Sequence, residues 1–363
     1  ADPKSSRFFQ NFFGQWLGVR QLASHDADAT LFPMWSPAMR QAMASAEVGD
    51  DVWGEDPTIR RLEAAVAEAL GHEAALFVPS GTMGNQICLR LAAPPGTECL
   101  ANEDNHILWY EAAAAPVLSG VQLHPVPGPR GMLEPAAARA RVRTATYGVP
   151  TSALAVEQTH NRAGGAVQPL EVLEGLRALA DEAGLHLHCD GARVWNASVA
   201  TGIPLDRYGR LFDSLSVCFS KGLGAPVGSA VVGGRDLVAR AREVRHLYGG
   251  AMRQAGVLAA AALAALEQQV DRLADDHANA RALAETVAAA VPGSVDPAEV
   301  ETNMVLLDAG AFGTDGPGLV ERLAGLDVLA TDTDPGRVRL VFFYEVSAED
   351  AERAAKAVVA AAG

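Results

Sequence analysis

Lys221 stands alone in the stretch CFSKGLGAPVGS, at the end of an apolar run over Leu215–Phe219 and ahead of Gly222, Gly224, Pro226 and Gly228. Glycines and a proline after a strand make an ordinary turn. They also let backbone approach a planar group closely, with an amine beside it. Two further segments offer matching chemistry. In HLHCDGARVWNA, His186, His188 and Asp190 alternate and so share one face of a strand, with Asp190 at its end. In VPSGTMGNQ, Ser80, Gly81 and Thr82 lie where a strand passes into a helix, and the free N–H groups of such a helix start suit a phosphate. The spacing there matches neither GxGxxG nor the GK[ST] of a P-loop.

An amine, a carboxylate and a phosphate cradle at strand ends are what pyridoxal 5′-phosphate requires. Its aldehyde takes a lysine as Schiff-base partner, its ring nitrogen needs a carboxylate to stay protonated, and its phosphate needs backbone donors. A metal is the rival reading of His186 and His188. No downstream His/Asp cluster completes a metal shell and nothing resembles HExxH, so no metal is expected, and His186 reads as a satisfied core residue.

The elements that must carry these residues follow from periodicity. DPTIRRLEAAVAEALG reads as a helix capped by Asp56, with Pro57 in its first turn, Ile59, Leu62, Val66 and Leu70 on one face, and Gly71 as its stop. Short β-like runs follow: AALFVPS, ECLANED, VQLHPVP, ALAVEQT, LHLHCDG, SLSVCFS and SAVVGG, with helices such as PLEVLEGLRALADEAG between several of them. This alternation predicts an α/β fold with a mostly parallel seven-stranded sheet covered on both faces. After about residue 250 an Ala-rich helical region leads to a smaller αβ unit with strands near TNMVLLD and RVRLVFFY and a last helix opened by Ser347 and Asp350. The expected division is an N-terminal arm over 1–45, a large domain over 46–265 and a small C-terminal domain over 266–363.

With 363 residues, 49% of them apolar, the chain is long enough for two cores and an enzyme cleft. A net charge of −15 repels phosphate backbones and anionic lipid, so neither nucleic acid nor membrane is an expected partner. No stretch approaches the roughly 20 apolar residues of a membrane span, and the N-terminus lacks a signal-peptide pattern. Cys88, Cys99, Cys189 and Cys218 show no CxxC spacing and read as buried hydrophobes of a reducing, cytoplasmic protein.

From about Ser36 onward the blocks VGDDVWGEDPT, PSGTMGNQ, EQTHNRAGG, HCDGARVWNA, FSKGLGAPVGS, GGAMRQAG and TNMV resemble, in order and spacing, the threonine aldolase and β-eliminating lyase family of the aspartate aminotransferase fold type, fold type I. The resemblance implies a homodimer or homotetramer with active sites at the subunit interface. It implies Lys221 as the Schiff-base lysine, Asp190 as partner of the ring nitrogen, and Ser80, Gly81 and Thr82 on the phosphate. Arg193 would lie near the cofactor's phenolate oxygen and the substrate carboxylate. His106, in EDNHILWYE, would stack on the ring, and His160 would sit near the substrate hydroxyl as candidate base, with His106 second for that role. Arg253 would reach in from a neighbouring subunit. Arg339 would grip the substrate carboxylate through a two-pronged ion pair.

The expected activity is cleavage of an L-β-hydroxy-α-amino acid, of threonine, allo-threonine or phenylserine type, to glycine and an aldehyde. β-Elimination, racemisation, transaldol transfer and a non-catalytic binding role are the alternatives. Departures fall around the substrate. DADATLF stands where the family has an RSDT-type stretch, His246 where many members have lysine, and Phe342 and Phe343 where a small or polar pair is usual. At least one of these rings is expected to line the substrate pocket.

Overall fold

The computed structural model describes residues 37–144 and 147–363, so the DADATLF segment and most of the N-terminal arm lie outside the described residues. Seven strands build the main sheet: β1 (Ala74–Val78), β2 (Glu98–Asn102), β3 (Gln122–Val126), β4 (Thr151–Glu157), β5 (His186–Gly191), β6 (Ser214–Cys218) and β7 (Ser229–Gly233). They run in the order β1-β7-β6-β5-β4-β2-β3. β7 is antiparallel to both of its neighbours, and the remaining pairs are parallel. Alternate residues of β4 feed opposite clusters, Leu154 and Val156 into one and Ala153 and Ala155 into another, so both faces are buried.

The helices of eight residues or more are α1 (Pro37–Ala44), α2 (Pro57–Ala69), α3 (Gly81–Ala92), α4 (Leu170–Ala183), α5 (Val194–Thr201), α6 (Arg235–Leu247), α7 (Gly256–Gln268), α8 (Leu273–Ala290), α9 (Gly316–Ala324) and α10 (Ala348–Ala360). Asp56 caps α2 by accepting from the N–H groups of Thr58 and Ile59, and it also accepts from Gly49 and Gly256. Burial pushes its carboxyl up, while those four donors oppose the shift.

The small sheet, β8 (Met304–Asp308), β9 (Thr331–Asp334) and β10 (Arg337–Val341), is antiparallel in the order β8-β10-β9. It packs with α8, α9 and α10 around its own core, and Ser347 and Asp350 form a reciprocal capping box on α10. The Ala-rich region is not one helix. It breaks between Gln268 and Leu273, and packing passes from the first core, which takes residues up to Leu273, to the second, which takes them from Ala280.

Candidate active site

The residues singled out by chemistry follow the carboxyl ends of parallel strands, where an open α/β sheet binds ligands. Ser80 follows β1, His106 follows β2, His160 follows β4, Asp190 is the next-to-last residue of β5 and Lys221 follows β6. Val78 pairs with Ser229 and Ser229 with Cys218, which sets the β1 and β6 exits on the two sides of β7. Ser80 is the N-cap of α3, its Oγ accepting from Met83 N at 3.2 Å; with Thr82 it is exposed at the helix start. Lys221 is half-buried and makes no hydrogen bond or ion pair among the described residues. A Cβ on Gly224, whose φ is +74°, would meet the Tyr344 ring at 2.6 Å, so this glycine admits Tyr344, from the segment after β10, against the lysine loop.

Asp190 is 4% exposed. Its Oδ2 accepts from Asn85 Nδ2 at 2.8 Å and its Oδ1 from Ala192 N at 3.1 Å. The nearest cationic group among the described residues is His106, whose Nδ1 lies 3.9 Å from Oδ2. A buried carboxylate whose hydrogen-bond donors, Asn85 and Ala192, are both neutral fits a protonated ring nitrogen. His188 lies behind it, its Nε2 3.2 Å from Asn85 Oδ1 and its Nδ1 3.0 Å from Ser214 Oγ, and burial pushes it down to about 4. His186 bonds Ser214 Oγ at 2.8 Å, so the histidine pair is a set of satisfied core groups. Among the described residues, the three groups that could share a cation are instead His106, Glu111 and Asp190, with ligand atoms within 4.8 Å of one another, and Asn85 already donates to both carboxylates.

His106 is three-quarters buried, and its Nδ1 lies 3.0 Å from Glu111 Oε1. Burial disfavours its charged form, but the Glu111 hydrogen bond and the carboxylates of Asp190 and Glu157 outweigh that and raise it above the ordinary imidazole range. His160 is fully buried and stands differently from expectation. Its Nδ1 accepts from Ala163 N at 3.2 Å, so in the neutral ring the proton sits on Nε2, 3.6 Å from Glu157 Oε2. In that tautomer the Nδ1 lone pair is already taken and Nε2 is buried without a hydrogen-bond partner among the described residues, so the neutral ring offers no free lone pair for a substrate proton. Glu157 joins the two histidine segments, accepting from His106 N and Asn161 N, both at 2.8 Å.

Arg339, on β10, donates to Asn161 Oδ1 at 2.6 Å, and burial holds it below the usual guanidinium range. Arg193 is pushed down to about 10, first by burial and then by the positive charge of Arg339. Both Nε atoms are buried without an acceptor among the described residues. Two buried guanidiniums that keep unmet donors and feel each other's charge suit an anionic substrate group such as a carboxylate. Phe342 is a correction. It is 3% exposed in the small core beside Val338 and Leu340, which share its parity on the strand, and does not face the cleft. Phe343 does, bordering with Lys221, Tyr344, Met39 and Met43 a cleft of about 280 Å³. Arg253 is not drawn into this cluster; it pairs with Asp50 of its own chain at 2.6 Å. His246 is exposed on α6.

Asn85, Glu111, Glu157 and Asn161 hold the site together without having been singled out from sequence. The only signal for them was their place inside quoted motifs. Residues 33–310 match the beta-eliminating lyase family model. The chain is 40% identical over 323 residues to low-specificity L-threonine aldolase 1 of Arabidopsis thaliana, covering 86% of this chain and 89% of that protein. Among solved structures, the Leishmania major threonine aldolase superposes with a TM-score of 0.74 at 20% identity, over 90% of this chain and 96% of that one. A Thermus thermophilus aspartate aminotransferase variant superposes with a TM-score of 0.66 at 20% identity, over 89% and 91%. With its cofactor-type strand ends, its aspartate aminotransferase-like fold and that match, the chain belongs to the beta-eliminating lyase family.

Proposed function

We propose that this protein is a pyridoxal phosphate-dependent aldolase that cleaves an L-β-hydroxy-α-amino acid to glycine and an aldehyde. Lys221 would hold the cofactor's aldehyde carbon, Asp190 its ring nitrogen, Ser80, Gly81 and Thr82 its phosphate, and His106 its ring face. When bound, pyridoxal phosphate draws electrons from the bonds of the substrate's α-carbon. The observation that carries the amino-acid reading is that Arg193 and Arg339 each keep a buried Nε donor without an acceptor among the described residues, with the charge of Arg339 felt at Arg193. They orient a substrate carboxylate by a forked ion pair, with Asn161 fixing Arg339. The low-specificity threonine aldolase among its relatives supports cleavage over the other reactions.

The proton acceptor for the β-hydroxyl is His106. Its Nε2 makes no hydrogen bond among the described residues, whereas both nitrogens of His160 are committed or enclosed. On this reading Phe343, which borders the cleft beside Lys221, favours a larger apolar β-substituent. A homodimer or homotetramer is part of the proposal, with Arg253 serving the neighbouring subunit's site. Trp53, 73% exposed close to the Asp50–Arg253 pair, supports a covered face there. Four buried free thiols support a cytoplasmic setting.

The test is incubation of the purified holoenzyme with threonine, allo-threonine, phenylserine and serine, followed by product identification. Glycine with an aldehyde is expected. Pyruvate with ammonia, or a D-amino acid, would replace the proposal with elimination or racemisation.

A further inference from the structure

Glu111 is 2% exposed and has no role in the chemistry described so far. It accepts from Gln86 Nε2 at 2.6 Å, from Asn85 Nδ2 at 2.8 Å and from His106 Nδ1 at 3.0 Å. The same Asn85 amide donates to Asp190 Oδ2 at 2.8 Å, and its Oδ1 takes the Nε2–H of His188, so its orientation admits no flip. One amide thus bridges two buried carboxylates, one bound to the candidate base and the other facing the cofactor's ring nitrogen in the proposal above.

We infer that Glu111, with Asn85, is a positioning residue that fixes His106 in the tautomer with Nδ1 protonated and Nε2 free, and ties it to Asp190 as one hydrogen-bonded unit. This rests on the aldolase reading for its chemistry. The β-hydroxyl proton passes to Nε2 and the O–H electron pair becomes the carbonyl of the leaving aldehyde. The Cα–Cβ pair stays with the α-carbon, and one proton delivered there completes glycine and restores His106. The imidazolium formed in between is stabilised by Glu111, as a carboxylate stabilises the histidine of a hydrolytic triad. A neutral acceptor could hold the tautomer but would give the cation less support. The groups facing His106 are Glu111 from its own segment, Glu157 from β4, Asp190 from β5, and the Tyr110 ring at 5.3 Å. Three carboxylates therefore act on one imidazole, and Glu111 is the one bound to its ring.

The experiment is a pH titration of ¹⁵N-histidine-labelled holoenzyme, wild type and Glu111→Gln, with the His106 signals identified by their loss in His106→Asn. Wild-type His106 is expected as the Nδ1–H tautomer with its midpoint above 6.5, the ordinary imidazole value. In Glu111→Gln the midpoint should fall by about one pH unit or more, the usual effect of losing a close opposite charge. The acid limb of kcat/KM should move the same way, with kcat down about 10- to 100-fold and KM changed far less. A wild-type Nε2–H tautomer, or a midpoint that stays put in Glu111→Gln, overturns the inference. Should that variant fail to fold, the wild-type tautomer decides alone. If wild-type enzyme releases no glycine and aldehyde, the functional reading fails while the titration still judges the hold of Glu111 on His106.

Discussion

Gly131 has a φ of +75°, and a Cβ built on it would lie 2.2 Å from His160 Cγ and 2.4 Å from Nδ1. Gly131→Ala therefore drives a methyl into a ring with no exposed surface. Neither side can easily give way. The glycine's loop is held by Asn102, whose Nδ2 donates to Met132 O at 2.9 Å and Gly128 O at 3.3 Å, while His160 is held by Ala166 O at 2.9 Å and by Ala163 N. The left-handed backbone alone costs alanine about 1–2 kcal/mol, and overpacking adds about 1–3 kcal/mol. Gly184→Ala, at the end of α4, is the matched control, with φ +66° and nothing within 4 Å of its Cβ among the described residues, so it carries only the backbone cost. The displaced imidazole lies 3.6 Å from Glu157, which also holds the His106 backbone. A misplacement of about 1 Å in a catalytic arrangement can cost about 100-fold in rate. Thermal midpoints and steady-state aldehyde release of the two variants should thus diverge: Gly131→Ala melts several degrees lower and loses most of kcat, while Gly184→Ala keeps its turnover. Equal kcat in the two variants would refute the argument that His160 is fixed by this contact and coupled through Glu157 to His106.

Lys221→Ala should lose the visible absorbance of bound cofactor and nearly all turnover with an unchanged melting profile of the apoprotein, because the side chain has no partner among the described residues; persistent colour after dialysis would contradict this. Phe342→Ala should destabilise by about 3–5 kcal/mol, as for a core phenylalanine. Phe343→Thr should cost little stability and instead lower the phenylserine-to-threonine ratio of kcat/KM by about tenfold; a ratio moved by the first variant and not the second would reverse the assignment. Arg339→Lys should raise KM about 10- to 100-fold with kcat less affected, since lysine cannot reproduce the fork that Asn161 steadies; an unchanged KM would remove Arg339 from the carboxylate site.

What could be read from sequence were features carried by local pattern. The main strands showed through alternation and apolar runs, and Asp190 and Lys221 showed because each ends such a run beside glycine. The strand β9, TDTD, was invisible because none of its residues is apolar or buried, so no apolar alternation marks it. The break before α8 was hidden because QQVDR contains no glycine or proline. There the chain turns so that Arg272 can reach Gly222 O at 3.2 Å and Asp276 Oδ1 at 2.7 Å. Parity along RVRLVFFYEV separated Phe342 from Phe343 but could not say which faced the core; Val338 and Leu340 in the same cluster settle it. Glu111 and Asn85 were out of reach for another reason. Asn85 meets Asp190 across 105 positions, and nothing local reports such a partner.

That contrast in separation bears on the order in which the site forms. Because β7 runs antiparallel to β6, the lysine lies inside a hairpin whose mouth, Cys218 opposite Ser229, spans 11 positions. Phe219 N bonds Gly228 O and Ala225 N bonds Phe219 O, which closes the loop on itself. Loops of about ten residues close in roughly 10–100 ns, long before distant strands can be searched. The amine can therefore be presented early by a chain whose Asn85–Asp190 contact has yet to form. An aldehyde captured by Lys221 during refolding marks a finished hairpin and not a finished enzyme, and recovery of turnover should lag behind recovery of colour.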